Sequence, residues 1–284
     1  MPGAGGASAE TFDAAGARCR VILDGWRSVS PRFVFRGYSE DVQGPFVREH
    51  LDADGKLRGP IAALLIESGD GLVLVDAGMG RFTGLGRFAE GVDAGHLRGE
   101  LAELGMRPSD VRCVVITHGH ADHVGGLLGP GNEPAFPDAR HVIARIEAEF
   151  WGSPAAAALP DDAGVPAATA LAALLDAGLL DAIEGEATAA SSVRVIAAPG
   201  HTPGHVGVVV GDALLWCGDA LVSPLNVPHP EWTSASDMDE PTNGRTRRAL
   251  LARAADEDLV VAGSHLAVAG TIHRAGDGFE LVPR

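Results

Sequence analysis

The apolar residues of the chain fall into short runs separated by glycine, proline and aspartate, a pattern typical of strands. The runs Ile61–Glu67 and Leu72–Asp76 predict a β-hairpin, because the turn Ser68–Gly71 joins them. Further strands are predicted at Arg20–Trp26, Val111–Ile116, Arg140–Ala144, Val193–Ala197, Val206–Val210, Leu214–Cys217 and Leu259–Ala262. Helices are predicted at Asp93–Leu104, Ala121–Leu128, Arg145–Trp151 and Thr246–Asp256. This order predicts a layered α/β protein, in which two sheets carry helices on their outer faces.

Three segments depart from this rhythm. Residues 1–17 are rich in glycine and alanine without a period, which predicts a disordered tail. Residues 31–59 carry several turn signals and predict a loop-rich region. Residues 153–186 are rich in alanine, proline and aspartate and contain an apolar helix near Leu171–Leu180, which predicts an inserted segment that covers a substrate. We therefore expect one domain over residues 18–284 with a helical insertion near 153–186.

Composition narrows the classes of partner. The chain has 22 basic and 38 acidic residues, a net charge of -16, which repels nucleic acid and anionic lipid. Hydrophobic residues make up 46% of it, enough for a sizeable core, and its three cysteines are too scattered for a disulfide framework. No apolar stretch approaches about 18 residues, and no basic-then-apolar leader opens the chain. We expect a cytoplasmic protein that binds neither nucleic acid nor membrane; a homodimer is left open.

The densest cluster of reactive side chains directly follows the predicted strand Val111–Ile116. Three histidines and an aspartate lie there within six residues: His118, His120, Asp122 and His123. In an extended segment, residues two apart such as His118 and His120 point to the same side. Asp122 and His123 come from the turn and the helix start, so they face a neighbouring point. Because histidine is the commonest metal ligand, the segment predicts two adjacent ligand pairs, as a two-metal site requires.

Three more metal-ligating residues follow predicted strands, each with a glycine beside it. They are His201, Asp219 and His265, after the strands that end near Ala197, Trp216 and Ala262. Strand ends that share one edge of a sheet can converge on one spot, and glycine lets the backbone crowd there. Pairing by type would place His201 with His118 and His120, and His265 with Asp122 and His123. Asp219 has two oxygens and could bridge two cations about 3.5–4 Å apart.

The combined motifs resemble those of the metallo-β-lactamase-fold hydrolase superfamily. They are Asp76–Gly78, Thr117–Gly126, Pro199–His201, Gly218–Asp219 and Gly263–His265, spread from about Ile61 to the C-terminus. The resemblance implies a four-layer αββα sandwich with two zinc ions per chain at one edge of the facing sheets. It also implies that His118, His120 and His201 hold one ion, that Asp122, His123 and His265 hold the other, that Asp219 bridges them and that Asp76 orients ligands. In this pattern His205 is expected to be structural or to support a ligand rather than to bind metal itself.

Within the superfamily, the C-terminal third looks most like the methyl parathion hydrolase and quorum-quenching lactonase branch, on the segments Asp219–Asn226, Pro230–Trp232 and Ser236–Asp239. One position departs from that branch. The best-known acyl-homoserine lactonases carry a tyrosine three positions after the bridging aspartate, and Val222 stands there in this chain. The single tyrosine, Tyr38, lies far away in sequence. Lactone opening assisted by tyrosine is therefore in doubt, whereas hydrolysis at the metals is not.

The resemblance implies a hydrolase in which a hydroxide shared by two zinc ions attacks an ester, lactone or phosphotriester bond. Asp122 and Asp219 would be the catalytic carboxylates that pass the proton, and manganese, cobalt or iron could replace zinc at such ligands. The substrate is expected to be a small, neutral, fairly hydrophobic molecule. Candidate walls of its pocket are Phe150, Trp151, Leu225, Val227 and Trp232.

Two enzymatic alternatives use the same ligand types. A mononuclear-iron persulfide dioxygenase would hold its metal with the equivalents of His118, His201 and Asp219, and bound-metal identity would separate it from a hydrolase. A thioesterase is chemically open as well. A non-catalytic scaffold is disfavoured, because the chain keeps all seven ligand positions.

Overall fold

Two β-sheets lie face to face at the centre of the protein, in a computed structural model that describes residues 11–14, 16–83 and 91–284. The first sheet contains β1 (Thr11–Ala14), β2 (Ala17–Val29), β3 (Leu57–Ser68), β4 (Gly71–Val75), β5 (Val92–Asp93), β6 (Val111–Val115), β7 (Arg140–Ala144) and β8 (Leu180–Ile183). The second contains β9 (Ala187–Ala190), β10 (Val193–Ala197), β11 (Val206–Val210), β12 (Leu214–Trp216), β13 (Val260–Ala262), β14 (Gly270–Ala275) and β15 (Gly278–Pro283). The first has the order β1-β2-β3-β4-β6-β7-β8 with β5 beside β2, and the second runs from β15 to β9.

The described residues form eight α-helices. They are α1 (Pro31–Val34), α2 (Gly44–Val47), α3 (Leu97–Glu103), α4 (Ala121–Val124), α5 (Arg145–Trp151), α6 (Pro154–Ala157), α7 (Val165–Asp176) and α8 (Glu240–Asp256). Side chains alternate along the strands, so each sheet has an inner and an outer apolar face. The inner faces share one core, which includes Leu64, Val75, Val208 and Trp216. Helices α3, α5 and α7 pack on the outside of the first sheet and α8 on the outside of the second, so the predicted αββα sandwich is confirmed.

Strand direction brings the candidate ligands to one side of each sheet. Strands β4, β6, β7 and β8 are parallel neighbours in the first sheet. In the second, β12 is parallel to β13, and β10 runs the same way because β10 and β12 both pair antiparallel with β11. The loops after β4, β6, β10, β12 and β13 therefore leave from carboxyl ends, where α/β proteins place their sites.

Most predicted elements are confirmed, including the β3–β4 hairpin, β6, β7, α5, β10 and β11. The helix after the histidine cluster is shorter than predicted, because α4 ends at Val124 and a 3₁₀ turn covers Gly125–Leu127. A Cβ at Gly126 would lie 1.9 Å from the Ala77 carbonyl oxygen, so close backbone packing stops the helix there. Helix α3 starts late, at Leu97, since Val92–Asp93 pairs with β2 instead. Helix α8 starts early, at Glu240, because the side chain of Asp239 caps it.

The irregular segments need three corrections. Thr11–Ala14 pairs with β2, so the predicted tail is already a strand there, while residues 1–10 lie outside the described residues. The loop-rich region contains α1 and α2, and β3 begins within it. In the predicted insertion, the helix is α7 rather than Leu171–Leu180, and β8 pairs with β7 as part of the first sheet. None of the helices in the described ranges is long and apolar enough to cross a membrane.

The buried His141 on β7 makes stability depend on pH. Burial lowers the pKa of His141 to about 4 from an ordinary value of 6.5, so between these values the unfolded chain binds the proton and the folded protein does not. Stability therefore falls as pH drops through this window. At pH 5 the neutral His141 ring lowers the free energy of unfolding by about 2 kcal/mol relative to pH 8. Between pH 8 and pH 5, the free energy of unfolding should therefore fall by about 2 kcal/mol less in His141→Leu than in the wild type.

Urea unfolding at both pH values measures this difference. His273→Leu is the matched control, because His273 is exposed. An equal loss of unfolding free energy in the wild type and His141→Leu would refute the assignment.

Candidate metal centre

Three imidazoles meet at the first group of candidate ligands. His118 Nε2 lies 3.0 Å from His120 Nδ1, which in turn lies 3.0 Å from His201 Nε2. His118 and His120 come from the loop after β6, and His201 comes from the loop after β10. The structure thus brings together the trio that the sequence predicted, from two different sheets.

Partners on the far side of two rings decide which nitrogen faces the group. The His201 Nδ1–H donates to Asp237 at 2.8 Å, which leaves the Nε2 lone pair free. His118 Nδ1 lies 3.0 Å from the Thr117 hydroxyl, and that hydroxyl donates to Asp76 at 2.8 Å. The hydroxyl has one hydrogen, so it accepts from His118, whose Nε2 lone pair also faces inward. This orientation of ring nitrogens is the usual arrangement around a bound metal.

The second group contains Asp122, His123 and His265. His123 Nδ1–H donates to Asp76 at 2.9 Å and His265 Nδ1–H donates to the Pro60 carbonyl at 2.8 Å, so both Nε2 lone pairs face the interior of the group. His265 Nε2 lies 3.4 Å from an Asp122 oxygen. The predicted trio is therefore assembled here as well, from α4 and the loop after β13.

Asp219 lies between the two groups. Its Oδ1 is 3.3 Å from His123 Nε2, and its Oδ2 is 3.1 Å from His265 Nε2 and 3.5 Å from His201 Nε2. Its backbone N–H donates to His205 Nε2 at 2.9 Å, and His205 in turn donates to the Ala198 carbonyl. Asp219 thus contacts a member of each trio, and His205 supports the backbone that presents it, which agrees with the structural role predicted for His205.

Buried polar atoms without hydrogen-bond partners show that the two groups fit a divalent cation. His123 Nε2, His265 Nε2 and Asp219 Oδ1 are buried and lack a hydrogen-bond partner among the described residues. Each of these histidines already carries a hydrogen on Nδ1, and carboxylate oxygens 3.1–3.4 Å from Nε2 raise the pKa of both rings, so each Nε2 takes either a second proton or a cation. Buried polar atoms in this state are costly unless a partner satisfies them. Imidazole and carboxylate are the ligands that divalent transition metals take in proteins, and a cation between them would satisfy all three atoms.

The electrostatics of the centre keep its carboxylates charged. Burial alone would raise the pKa of Asp219, but His265 and His123 hold the pKa of that carboxyl well below its usual range. Burial lowers the pKa values of His118 and His120 well below the ordinary value, and neighbouring imidazoles lower them further. Neutral imidazoles and ionised carboxylates are the forms that coordinate metal.

Asp76 stands at the end of β4 in a left-handed backbone conformation, with φ of 64°. It is fully buried, and it accepts from the Thr117 backbone at 2.8 Å as well as from the Thr117 hydroxyl and His123. One carboxylate therefore reaches a histidine of the second group directly and one of the first through Thr117. Non-glycine residues adopt this conformation mainly where the surroundings require it.

Sequence reasoning missed three charged residues around the centre: Arg27, Glu147 and Asp237. Arg27 follows directly on the end of the predicted first strand, which in fact continues to Val29, and its Nη1 lies 3.3 Å from Asp122. The only signal for Arg27 was a charged residue next to an apolar run. Glu147 had a local signal, because Glu147 and Trp151 lie one turn apart on α5 and the Trp151 indole donates to Glu147 at 2.6 Å.

Glu147 ties the two ligand-bearing loops together. It accepts from the Gly119 backbone at 3.0 Å, between His118 and His120, and from the Thr202 hydroxyl at 2.7 Å and the Gly204 backbone at 2.8 Å. Burial raises its pKa, and the four donors around it oppose that rise. A single buried carboxylate thus sets the distance between the loop after β6 and the loop after β10.

Two cavities adjoin the centre, and Arg27 lines both. The first, of about 50 Å³, is lined by His120, Asp122 and Asp219 together with Phe33, Asp161, Ala163 and Pro166. Part of the predicted covering segment therefore does lie beside the candidate ligands. The second cavity, of about 190 Å³, lies beside His265.

The predicted pocket walls lie mostly elsewhere. Leu225 lines the second cavity, as does Val222 at the position of the lactonase tyrosine. Trp151 is buried with its ring 5.4 Å from that of His120, and Phe150 packs against Trp151. Trp232 packs edge-on against Phe35, and Val227 is fully buried. These other four residues line neither cavity, because their apolar surface is used in the packing of neighbouring cores.

Comparison with known proteins identifies the family. Residues 57–265 match the metallo-beta-lactamase superfamily, and the chain belongs to it. The chain is 29% identical over 273 residues to a probable metallo-hydrolase of Mycobacterium tuberculosis, covering 81% of this chain and 83% of the relative. A shorter stretch of 111 residues is 40% identical to the hydroxyacylglutathione hydrolase of Acidiphilium cryptum, covering 39% of this chain and 35% of that relative. The protein is a metal-dependent hydrolase, as predicted.

Solved structures agree with this assignment. AidC, a dizinc quorum-quenching lactonase in complex with the product N-hexanoyl-L-homoserine, is similar with a TM-score of 0.84 and 25% identity over 97% of each chain. The hydrolase AbOPH of the β-lactamase superfamily has a TM-score of 0.85 at 24% identity over 97% of each chain, a likeness of fold. The neighbours include the kind of lactonase that the motifs resembled.

Asp237 gives a test of the first group. In Asp237→Asn the amide can donate to His201 Nδ1, which would move the ring hydrogen to Nε2 and remove the inward lone pair. We expect the affinity for a divalent cation to fall about 10- to 100-fold with the fold retained. Competition against a chromophoric chelator measures the affinity, and circular dichroism checks the fold.

Asp239→Asn is the matched control for this test, because Asp239 lies two residues away and caps α8 without contacting a candidate ligand. Equal cation affinity in Asp237→Asn and the wild type would contradict the positioning role of Asp237.

Proposed function

We propose that this protein is a dinuclear-zinc hydrolase that cleaves an ester, lactone or phosphotriester bond of a small, fairly hydrophobic molecule. The observation that carries the proposal is the pair of buried trios with Asp219 between them. A single cation would leave one trio with its lone pairs unsatisfied, whereas two cations engage both. Nitrogen and carboxylate ligands in these numbers suit zinc, and AidC, which has a similar fold, is described as a dizinc lactonase.

Two zinc ions would supply an activated water at neutral pH and a Lewis acid for the carbonyl or phosphoryl oxygen. The carboxylates of Asp122 and Asp219 line the first cavity, so they can reach the reacting atoms of a substrate held there. Asp219 is kept ionised by His265 and His123, which is the form of the carboxylate that a bridging ligand needs. Thr117 and Asp237 hold the rings of His118 and His201, and Glu147 holds the backbone between His118 and His120, so these ligands are positioned before a substrate binds.

The second trio, with Asp122, His123 and His265, favours two cations over the mononuclear-iron alternative, which needs only His118, His201 and Asp219. The partial similarity to a hydroxyacylglutathione hydrolase favours thioesters as a second substrate class. The mononuclear-iron alternative predicts a different metal content, and the thioesterase alternative predicts a different substrate. One set of measurements therefore separates both from the proposed function.

Metal content is the first test. Protein purified without added metal should contain close to two zinc ions per chain by elemental analysis and should hydrolyse members of a panel of lactones, aryl esters and organophosphate triesters. Prolonged treatment with a chelator should abolish the turnover, and zinc, manganese or cobalt should restore it, because this ligand set accepts several cations.

The alternatives give other outcomes in the same assay. About one iron per chain with no turnover on the panel would refute the hydrolytic proposal, and turnover confined to added thioesters would assign the thioesterase reaction instead.

Asp219→Asn tests the bridging role. The amide keeps the size of the side chain but loses the charge and one acceptor, so we expect loss of at least one cation per chain and a fall in kcat/KM of about a hundredfold or more. Asp212→Asn, in an exposed turn before β12, removes the same charge away from the centre and should change neither. Full metal content and unchanged kcat/KM in Asp219→Asn would contradict the assignment.

A further inference from the structure

The two cavities beside the metal centre differ in size and in lining. The first, of about 50 Å³, has the candidate ligands His120, Asp122 and Asp219 in its wall. The second, of about 190 Å³, is lined by side chains of one hydrophobic cluster, namely Val29, Val34, Leu57, Val222 and Leu225. Apolar space of this kind favours a hydrocarbon chain over water. Room for an apolar group therefore lies next to the centre, but outside the cavity that contains the carboxylates.

The two cavities approach each other at Asp122. Asp122 lines the first cavity and His265 lines the second, and His265 Nε2 lies 3.4 Å from Asp122 Oδ2. The Nη1 atom of Arg27 lies 3.3 Å from the same oxygen. Among the described residues that line the cavities, only Arg27 is common to both. The side chain of Arg27 thus stands between the reaction site and the larger apolar space.

The first sheet holds Arg27 in this position. Arg27 on β2 pairs with Gly59 on β3, and a Cβ at Gly59 would lie 4.0 Å from Arg27 Nε, so the arginine side chain extends across the glycine. Gly59 also lines the second cavity. Arg27 is only 6% exposed, and its guanidinium donates to Asp122 in a hydrogen bond between charged groups. Moving the side chain aside would break this bond inside the protein, which is costly.

We propose that Arg27 is a specificity-determining residue, which limits the length of the substrate by closing the reaction cavity off from the apolar cavity. The inference rests on the proposed function, since it assumes that the bond to be cleaved lies at the metal centre. A carboxylate has about four lone-pair sites, so Asp122 can bind a cation and still accept the bond from Arg27. A small residue in place of Arg27 would join the two cavities and admit a longer apolar chain.

Binding of linear carboxylic acids to the zinc-loaded protein tests this role without turnover. The carboxylate of each acid can bind at the centre, and a series from two to ten carbons reports how much apolar room lies beside it. In the wild type we expect the affinity to level off within the first few carbons, because Arg27 blocks the chain. In Arg27→Ala the affinity should keep rising about fourfold with each further carbon until the second cavity is filled, as for burial of a methylene group. Isothermal titration calorimetry measures these affinities.

Arg27→Met is the matched control, because methionine removes the charge but keeps most of the length of the side chain. The lost contact with Asp122 should change the affinities for all acids by the same factor, so the dependence on chain length should remain that of the wild type. Elemental analysis checks that each variant is fully loaded with metal. The same dependence on length in Arg27→Ala as in the wild type would overturn the proposal, and so would an equal gain for long chains in Arg27→Met and Arg27→Ala.

Filling the second cavity gives a test that keeps Arg27. Val29 is half-buried on β2 and lines the second cavity but not the first, and phenylalanine suits a strand. Val29→Phe alone should leave the affinities for all acids unchanged, since no chain of the wild-type complex enters this cavity. Combined with Arg27→Ala, the same substitution should abolish the gain for long chains. Weaker binding of long acids in Val29→Phe alone would show that the wild type already uses the second cavity and would refute the role of Arg27.

Aryl esters of the same acids connect this role to catalysis. In the wild type kcat/KM should reach its maximum at a short acyl chain, and Arg27→Ala should move that maximum by several carbons towards longer chains, whereas Arg27→Met should not. If no ester is hydrolysed while the acid affinities change as expected, the hydrolytic function fails and the role of Arg27 stands. If esters are hydrolysed, and neither kcat/KM nor the acid affinities show a different dependence on length in Arg27→Ala, the role of Arg27 fails and the hydrolytic function stands.

Discussion

At the buried metal centre, ring nitrogens and carboxylate oxygens lie close together with their lone pairs directed at one another. Much of the surrounding structure holds these groups in position. Four of the five histidines in the two trios carry a hydrogen on the outer nitrogen, because Asp76, Asp237, the Pro60 carbonyl and the Thr117 hydroxyl accept it. Inward lone pairs repel neighbouring carboxylates unless a cation or a proton lies between them, and the carboxylates accordingly raise the pKa values of His123 and His265. The site is thus assembled by the fold at a cost in stability, and cation binding removes that cost. A protein of this kind should be markedly more stable with its metal than without it.

The sequence allowed the fold and the ligand set to be predicted because both depend on local patterns. Apolar runs bounded by polar residues or proline define β6 and β10, and the ligands follow such runs at strand ends, where parallel strands converge. The boundaries of α3 and α4 were harder, because they depend on contacts that form only in the folded chain, namely the pairing of Val92–Asp93 with β2 and the packing of Gly126 on Ala77. The helix and strand propensities of a sequence cannot predict a strand of only two residues or a helix that is shortened by contacts with its neighbours.

The residues that support the ligands escaped prediction for a related reason. Glu147 contacts groups 28 and 55 positions away, and Asp237 lies 36 positions from His201. Arg27 reaches Asp122 across 95 positions. A lone charged residue in a sequence is usually solvated. Only Glu147 had a local signal, the Trp151 one turn away, and the pattern around Arg27 and Asp237 does not separate them from the many exposed charged residues. The aromatic residues near the motifs gave the opposite error: Trp151 and Trp232 were expected in a pocket, and packing placed them in cores.

The left-handed backbone of Asp76 makes that position unusually hard to change in the course of evolution. The position needs a residue that tolerates a φ of 64° and also a short carboxylate that reaches both His123 and the Thr117 hydroxyl. Asparagine tolerates the backbone but lacks the charge, glutamate has the charge but not the backbone preference, and glycine has neither side-chain oxygen. Every single replacement therefore loses at least one of two independent requirements. New activities on this scaffold would more readily arise from residues that line the cavities, such as Val222 and Leu225, than from the network that holds the histidines.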